Sequence, residues 1–193
     1  MKKDLGAIPA VFPMPVLIVA AYDGTGRVQA MNAAWGTICA MDRICLCIDE
    51  DHATTKAIRE TGAFTVSLAD VDHMAEADYL GIATGNKLAD KFQKSGLTET
   101  ASTTVHAPII DQFPVTLECE LADIIDTDSL HAVIGQIKNV KADEEVLSDN
   151  GKIDPVKVNA LIFDQFQNGY YVATEQTGKA WNAGVALNKA ARA

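Results

Sequence analysis

The sequence predicts a mainly antiparallel β-barrel with a few short helices. Three observations lead there. Apolar runs are short, and the clearest of them alternate with polar residues, the period of a half-buried strand. Turn signals such as Asp23-Gly24-Thr25-Gly26 and Asp149-Asn150-Gly151 separate the runs. Strand follows strand with little βα alternation, which argues against a doubly wound parallel sheet.

The elements follow in order. Pro9, Pro13 and Pro15 make an extended entry segment, and Val16 to Tyr22 reads as a buried strand. Arg27 to Met31 returns as the second arm of a hairpin. Thr37 to Met41 and Ile44 to Ile48 are strands around Asp42-Arg43. Thr54 to Thr61 is a short helix stopped by Gly62, and Phe64 to Leu68 a strand. Asp72 is placed to cap a helix over His73 to Ala83. Asn86 is placed to cap another over Lys87 to Lys94, with Leu88, Ala89 and Phe92 on its buried face. In Pro114 to Ile125, Val115, Leu117, Cys119 and Leu121 face one side and Thr116, Glu118 and Glu120 the other. That is the pattern of a half-buried antiparallel strand. His131 to Val140 is another strand, Asp154-Pro155 opens a short helix, and Tyr170 to Ala173 is a last strand. Repeats, low-complexity tracts and linkers are absent, so one domain over residues 1–193 is expected.

Composition narrows the function. The net charge is −10, which opposes nonspecific nucleic-acid binding, a process driven by Lys and Arg on phosphates. Any phosphate-bearing ligand needs a local cationic cluster. No apolar run approaches the roughly 20 residues of a membrane span, and the start has no signal-peptide pattern. A cytoplasmic location is expected. Cys39, Cys45, Cys47 and Cys119 fall in apolar runs or apolar strand phases and read as buried free thiols.

The motifs are weak one by one. Gly24-x-Gly26 lacks the third glycine of a dinucleotide fingerprint, because Gln29 holds its place. Gly85-Asn86-Lys87 is not a Walker motif. It is either a plain helix start or a phosphate-holding one. Cys45-x-Cys47 points both sulfurs to one strand face, yet zinc needs about four ligands and no second paired spacing exists, so no metal is expected. The four histidines are scattered, and no G-x-S-x-G element is present. Trp35 stands among Ala33, Ala34 and Gly36. It is either a core tryptophan or part of a backbone opened by small residues for a flat ring.

Taken together, several segments resemble one family. KKDLGAIPAVFPMPVLIVAAYD, NAAWGTICAMDRICLCI, TKAIRETGAFTVSLAD, EADYLGIATGNKLADKFQKSGLT, API with FPVTLECEL, and HAVIGQIKNVKAD occur in order across most of the chain. They are similar to successive motifs of the flavin reductase-like family of FMN-binding split barrels. The resemblance implies a homodimer of Greek-key-like split β-barrels holding non-covalent FMN near the subunit interface. It places the isoalloxazine against Asn32, Ala33, Ala34, Trp35 and Gly36. It places Ala53, Thr54 and Thr55 near the phosphate or ribityl chain, completed by Thr84, Gly85, Asn86, Lys87 and Lys91. Tyr171 and Trp181 belong to a tail that approaches the cofactor or the partner subunit. Where the family carries a basic residue ahead of the Ala-Thr pair, this chain has Asp49, Glu50, Asp51 and His52. His52 or Lys56 is then the expected substitute. Lys87 with Lys91, and Lys56 with Arg59, supply the cations that composition demands. The implied activity is an oxidoreductase passing electrons through FMN, from NAD(P)H or a protein donor to an acceptor. The alternatives are an electron carrier or a flavin-binding protein without NAD(P)H oxidation. No catalytic acid or base stands out.

Overall fold

The computed structural model describes residues 1–185 and 187; the remaining positions of the expected domain lie outside the described residues. The strands are β1 (Met14–Pro15), β2 (Leu17–Tyr22), β3 (Val28–Ala33), β4 (Gly36–Ala40), β5 (Arg43–Leu46), β6 (Ala63–Leu68), β7 (Glu99–Ala101), β8 (Pro108–Ile110), β9 (Val115–Thr127), β10 (Leu130–Ala142), β11 (Leu161–Asp164) and β12 (Gly169–Val172). The helices are α1 (Ala53–Thr61), α2 (Met74–Ile82), α3 (Lys91–Ser95) and α4 (Pro155–Val158). The main sheet has seven strands in the order β3-β2-β6-β9-β10-β5-β4, all antiparallel. It is not closed, as expected of a split barrel. Smaller sheets join β1-β11-β12 and β7-β8. None of the described helices is long and apolar enough to cross a membrane.

β2 explains why its sequence is continuously apolar. All six of its residues are buried. Ile18, Ala20 and Tyr22 pack with Ala77, Leu80, Phe92 and Ile110 on one face. Leu17, Val19 and Ala21 pack with Leu46, Ile58, Phe64 and Val133 on the other. A strand covered on both sides has no polar phase. α1 ends at Gly62, whose φ of 71° is left-handed and whose N–H donates to Ile58 O at 2.8 Å, a glycine helix stop.

Several expectations change. The helix over Lys87–Lys94 shrinks to Lys91–Ser95, and residues 84–90 form turns instead. Tertiary contacts override propensity there. The Asn86 amide donates to Asp51 O at 2.8 Å, and Gly85 packs on Ala53 and Gln29. Ala89 is consequently exposed, while Phe92 stays buried. Asp70, rather than Asp72, holds the start of α2, accepting from the His73 N–H at 3.0 Å. The polar side of β9 is not solvent-facing throughout. Thr116 and Glu118 are buried, the first hydrogen-bonded to the Ser67 hydroxyl at 2.8 Å and the second under residues 102–105. The Glu118 carboxylate accepts hydrogen bonds from Ser102, Thr104 and Asn139, which hold its carboxyl below the usual range against the opposing effect of burial. β11 and the β7–β8 hairpin were not anticipated; their runs are too short for periodicity to register.

Candidate functional site

Three adjoining clefts run along the end of β3 and the turn into β4. The first, of about 200 Å³, lies between the N-terminus of α1 and the segment after α2. Asn32, His52, Ala53, Thr54, Thr84, Gly85 and Lys91 line it, with Met31 and residues 80–83. It is suited to an anion. Lys56 is the first α1 residue whose N–H finds a helical carbonyl, that of His52 at 3.0 Å. The preceding N–H groups have no helical partner, and no side chain caps them. Free N–H groups at a helix N-terminus carry partial positive charge. Gly85 lets the wall close in, because a Cβ there would sit 2.9 Å from the Ala53 Cβ and 2.6 Å from Gln29 Oε1.

Lys91 is the strongest feature of this cleft. It is only 6% exposed. Its Nζ donates to Leu80 O at 2.7 Å, leaving two of three ammonium donors without a protein partner among the described residues. None of the described carboxylates pairs with it. Burial pulls its pKa down to about 8, since desolvation penalises the charged form. An anion in the cleft would relieve that penalty.

The cations expected beside it behave differently. Lys87 is exposed in a turn and does not line the cleft, so it shares no helix face with Lys91. Asn86 faces Asp51 rather than the cleft. Lys56 pairs with Asp51 at 3.6 Å, and Arg59 bridges Glu50 at 3.9 Å and Asp126. These two therefore offset the acidic loop rather than a ligand. Asp49 accepts the Asp51 N–H at 3.0 Å, which holds its carboxyl below the usual range. His52 lines the cleft, and of the two expected substitutes it is the one positioned there. Thr54 lines it too, whereas the Thr55 side chain is buried behind, its Oγ1 without a hydrogen-bond partner among the described residues.

The second cleft, of about 260 Å³, shares Asn32, Gly81 and Ile82 with the first and adds Ala34, Asp78, Phe163 and Tyr170. The Asn32 amide donates to Ala77 O at 3.1 Å, fixing β3 to α2. The Tyr170 hydroxyl donates to Asp78 Oδ1 at 2.8 Å. Burial first, then Asp78, raises the phenol pKa to about 12. Tyr171, the residue expected here, points the other way on β12, half-exposed and edge-on to Phe12 with centroids 6.0 Å apart. Adjacent strand residues face opposite sides, so the one-residue offset decides. Which face of β12 meets the cleft is set by its pairing with β11, a strand whose run is too short for periodicity to register. Trp181 is fully exposed.

The third cleft, of about 480 Å³, is apolar. Ala34, Trp35, Gly36, Thr37, Cys45 and Cys47 form one wall, and Pro9, Val11, Pro13–Pro15 and Gln165 the other. Trp35 is 54% exposed, so it is not a core tryptophan. The small residues around it serve the core as well. Ala33 is buried inside, and a Cβ on Gly36 would lie 2.7 Å from Leu17 Cδ1 and 2.8 Å from Leu46 Cδ2. All four thiols are free, as expected, but only one of them is buried. Cys119 is buried and pushed up to about 12, chiefly by burial. Cys45 and Cys47 are half-buried against the cleft, and Cys39 is exposed on edge strand β4.

Residues 10–167 match the model of the flavin reductase like domain. The chain belongs to the flavin reductase like domain family. Among solved structures, this family member is similar to the flavoredoxin of Desulfovibrio vulgaris (Miyazaki F), at 37% identity with a TM-score of 0.90. That match covers 95% of this chain and 100% of the other. The flavoredoxin of Methanosarcina acetivorans has the same fold at 23% identity, with a TM-score of 0.85, over 96% of this chain and 100% of the other. An uncharacterized protein of Aeropyrum pernix is 28% identical over 129 residues, 66% of this chain and 48% of its own length. The chain thus spans about half the length of that relative, and 59% of a second, from Aquifex aeolicus.

Proposed function

We propose that this chain is a flavoprotein that binds FMN non-covalently and passes electrons from NAD(P)H or a redox protein to an acceptor. The observation that carries the reading is Lys91, a buried ammonium with no carboxylate partner among the described residues, opening into a cleft at an uncapped helix N-terminus. That donor set fits a phosphate monoester, which carries about −1.5 to −2 charges at neutral pH. The buried, unpartnered Thr55 hydroxyl behind the same helix turn adds a polar group held ready nearby.

In this reading, the α1 N–H groups, Thr54, Gly85 and Lys91 hold the phosphate, with Thr84 and His52 at the rim. Asn32 and Ala34 lie along the path from the first cleft to the second, where a flat ring would meet Phe163 and Tyr170. Trp35 and Gly36 continue that wall. When bound, FMN supplies two-electron redox chemistry that no side chain here can perform. The chain's part is to bind, orient and shield. The Tyr170 hydroxyl, donating to Asp78, fixes β12 against α2. We further infer one domain, acting as a cytoplasmic homodimer.

A second reading, an electron carrier that does not oxidise NAD(P)H, is favoured by the 37% identity to a flavoredoxin over nearly both whole chains. Absorption spectra of the purified protein with added FMN, before and after anaerobic NADH or NADPH, test both. A yellow protein bleached by the nucleotide supports the reductase. A yellow protein bleached only by dithionite supports the carrier. If dithionite fails to bleach it, the chain stores flavin. Colourless protein that takes up no FMN ends all three.

A further inference from the structure

Leu46 of β5 points into the core and is fully buried. Cys45 on β5 and Cys47, the residue just beyond its end, both face the opposite side, where they line the apolar cleft. On that face Cys45 stands across from Thr37, and the Cys47 N–H donates to Trp35 O at 2.8 Å. Both cysteines line the apolar cleft, and so does Met14 from β1. Three sulfur-bearing side chains thus face one cleft. Among the described residues its lining holds no carboxylate, imidazole or ammonium group.

The spacing discriminates between uses of these thiols. Residues two apart on a strand have Cα atoms about 6.4–6.8 Å apart, with parallel Cβ directions. A disulfide needs Cβ atoms roughly 3.5–4.5 Å apart, so this pair is poorly placed to form one. A bridging metal has a longer reach: two metal–thiolate bonds of about 2.3 Å span about 4.6 Å between sulfurs. Thiolate and thioether donors select soft ions, whereas zinc wants four ligands and magnesium or calcium want several oxygens; the other polar side chains of this lining are the neutral ones of Thr37, Gln165 and Trp35.

We propose that Cys45 and Cys47, assisted by the Met14 thioether, form a binding site for Cu(I) on the wall of the apolar cleft. Two S–H bonds break, two protons pass to solvent and two copper–sulfur bonds form, with no change of oxidation state. The site does not depend on the flavin reading.

The test is an anaerobic titration of the full chain, stripped of metal, with Cu(I) presented as its complex with the coloured chelator bicinchoninate. The expected result is withdrawal of one Cu(I) per chain, lost in the Cys45→Ser, Cys47→Ser double variant, weakened in Met14→Leu and retained in Cys39→Ser. Copper left wholly with the chelator overturns the proposal, as does equal withdrawal by the double variant. Equal uptake of Zn(II) through the same two cysteines overturns the assignment to a soft ion. If the double variant fails to fold, iodoacetamide footprinting of the wild type decides. Cu(I) should shield Cys45 and Cys47 while leaving Cys39 open, and absence of shielding overturns the site.

Discussion

Two clefts flank the end of β3, and they differ in nearly every lining group. The one beside α1 is small and polar, with free helix N–H groups and the buried ammonium of Lys91. The one beside the entry segment is larger, lined by Trp35, prolines and sulfurs, without a charged group among the described residues. In a chain of net charge −10, the first can attract an anion only because its positive groups are local and desolvated. Long-range attraction is unavailable to it, since the overall field is repulsive and screened within about 8–10 Å. The second offers only shape and soft atoms. What separates them is how each was built: one by folding a lysine inward, the other by turning alternate strand residues outward.

Lys91→Met should break the contrast most. It keeps a long apolar stem and removes the charge. Hydrogen bonds to charged groups are worth about 1.5–3 kcal/mol, so FMN affinity should fall roughly 10- to 150-fold. Riboflavin, which lacks the phosphate, should bind wild type and variant alike. Fluorescence titration with both ligands checks this, and equal loss for the two would remove Lys91 from the proposed phosphate site.

Gly85→Ala should act next. The new methyl would meet the Ala53 Cβ and Gln29 Oε1 at 2.9 and 2.6 Å. Overpacking of this kind costs about 1–3 kcal/mol, and the loop must shift outward from α1. FMN affinity should drop several-fold with a lower Tm, read by titration and thermal melting. Unchanged binding would mean that the loop does not close on the ligand.

The same contrast measures how far the sequence could be read. β2, the β9–β10 pair and α1 were legible, because periodicity, Gly62 and the long alternating runs act locally. Ala53, Thr54, Thr84, Gly85 and Lys91 were legible through the family resemblance, and the structure brings them into one cleft. Lys87 and Asn86 were misplaced because the turn 84–90 is set by contacts with Asp51, Ala53 and Gln29, far away in sequence. Tyr170 rather than Tyr171 lines the second cleft, and the sequence alone does not tell which face of β12 meets it. The outward thiols were missed because an apolar run does not say which face the core takes.

Titration sharpens the comparison further. An unfolded lysine keeps its proton to about 10.5, while Lys91 releases it near 8. Between those values the unfolded chain binds more protons, so folding stability from this group rises with pH. FMN binding should run the other way, because phosphate prefers the ammonium. Affinity should hold below pH 8 and weaken above it in wild type, and stay flat over that range in Lys91→Met. Binding isotherms from pH 7 to 9.5 check both slopes.

The smallest effect is expected from the acidic loop, which sequence alone made the most worrying feature of the site. Asp49, Glu50 and Asp51 are all exposed. Asp51 already faces Lys56, Glu50 faces Arg59, and Asp49 accepts a backbone N–H. Their charge is compensated on the outer side of α1 and screened by solvent, while Lys91 acts from the buried side. Replacing Asp51 by Asn should therefore change FMN affinity less than about twofold at physiological salt, where exposed charges are heavily screened. The change should grow in low salt. A tenfold gain in affinity would place the loop's field inside the cleft and make the acids, rather than Lys91, the dominant control on the anion.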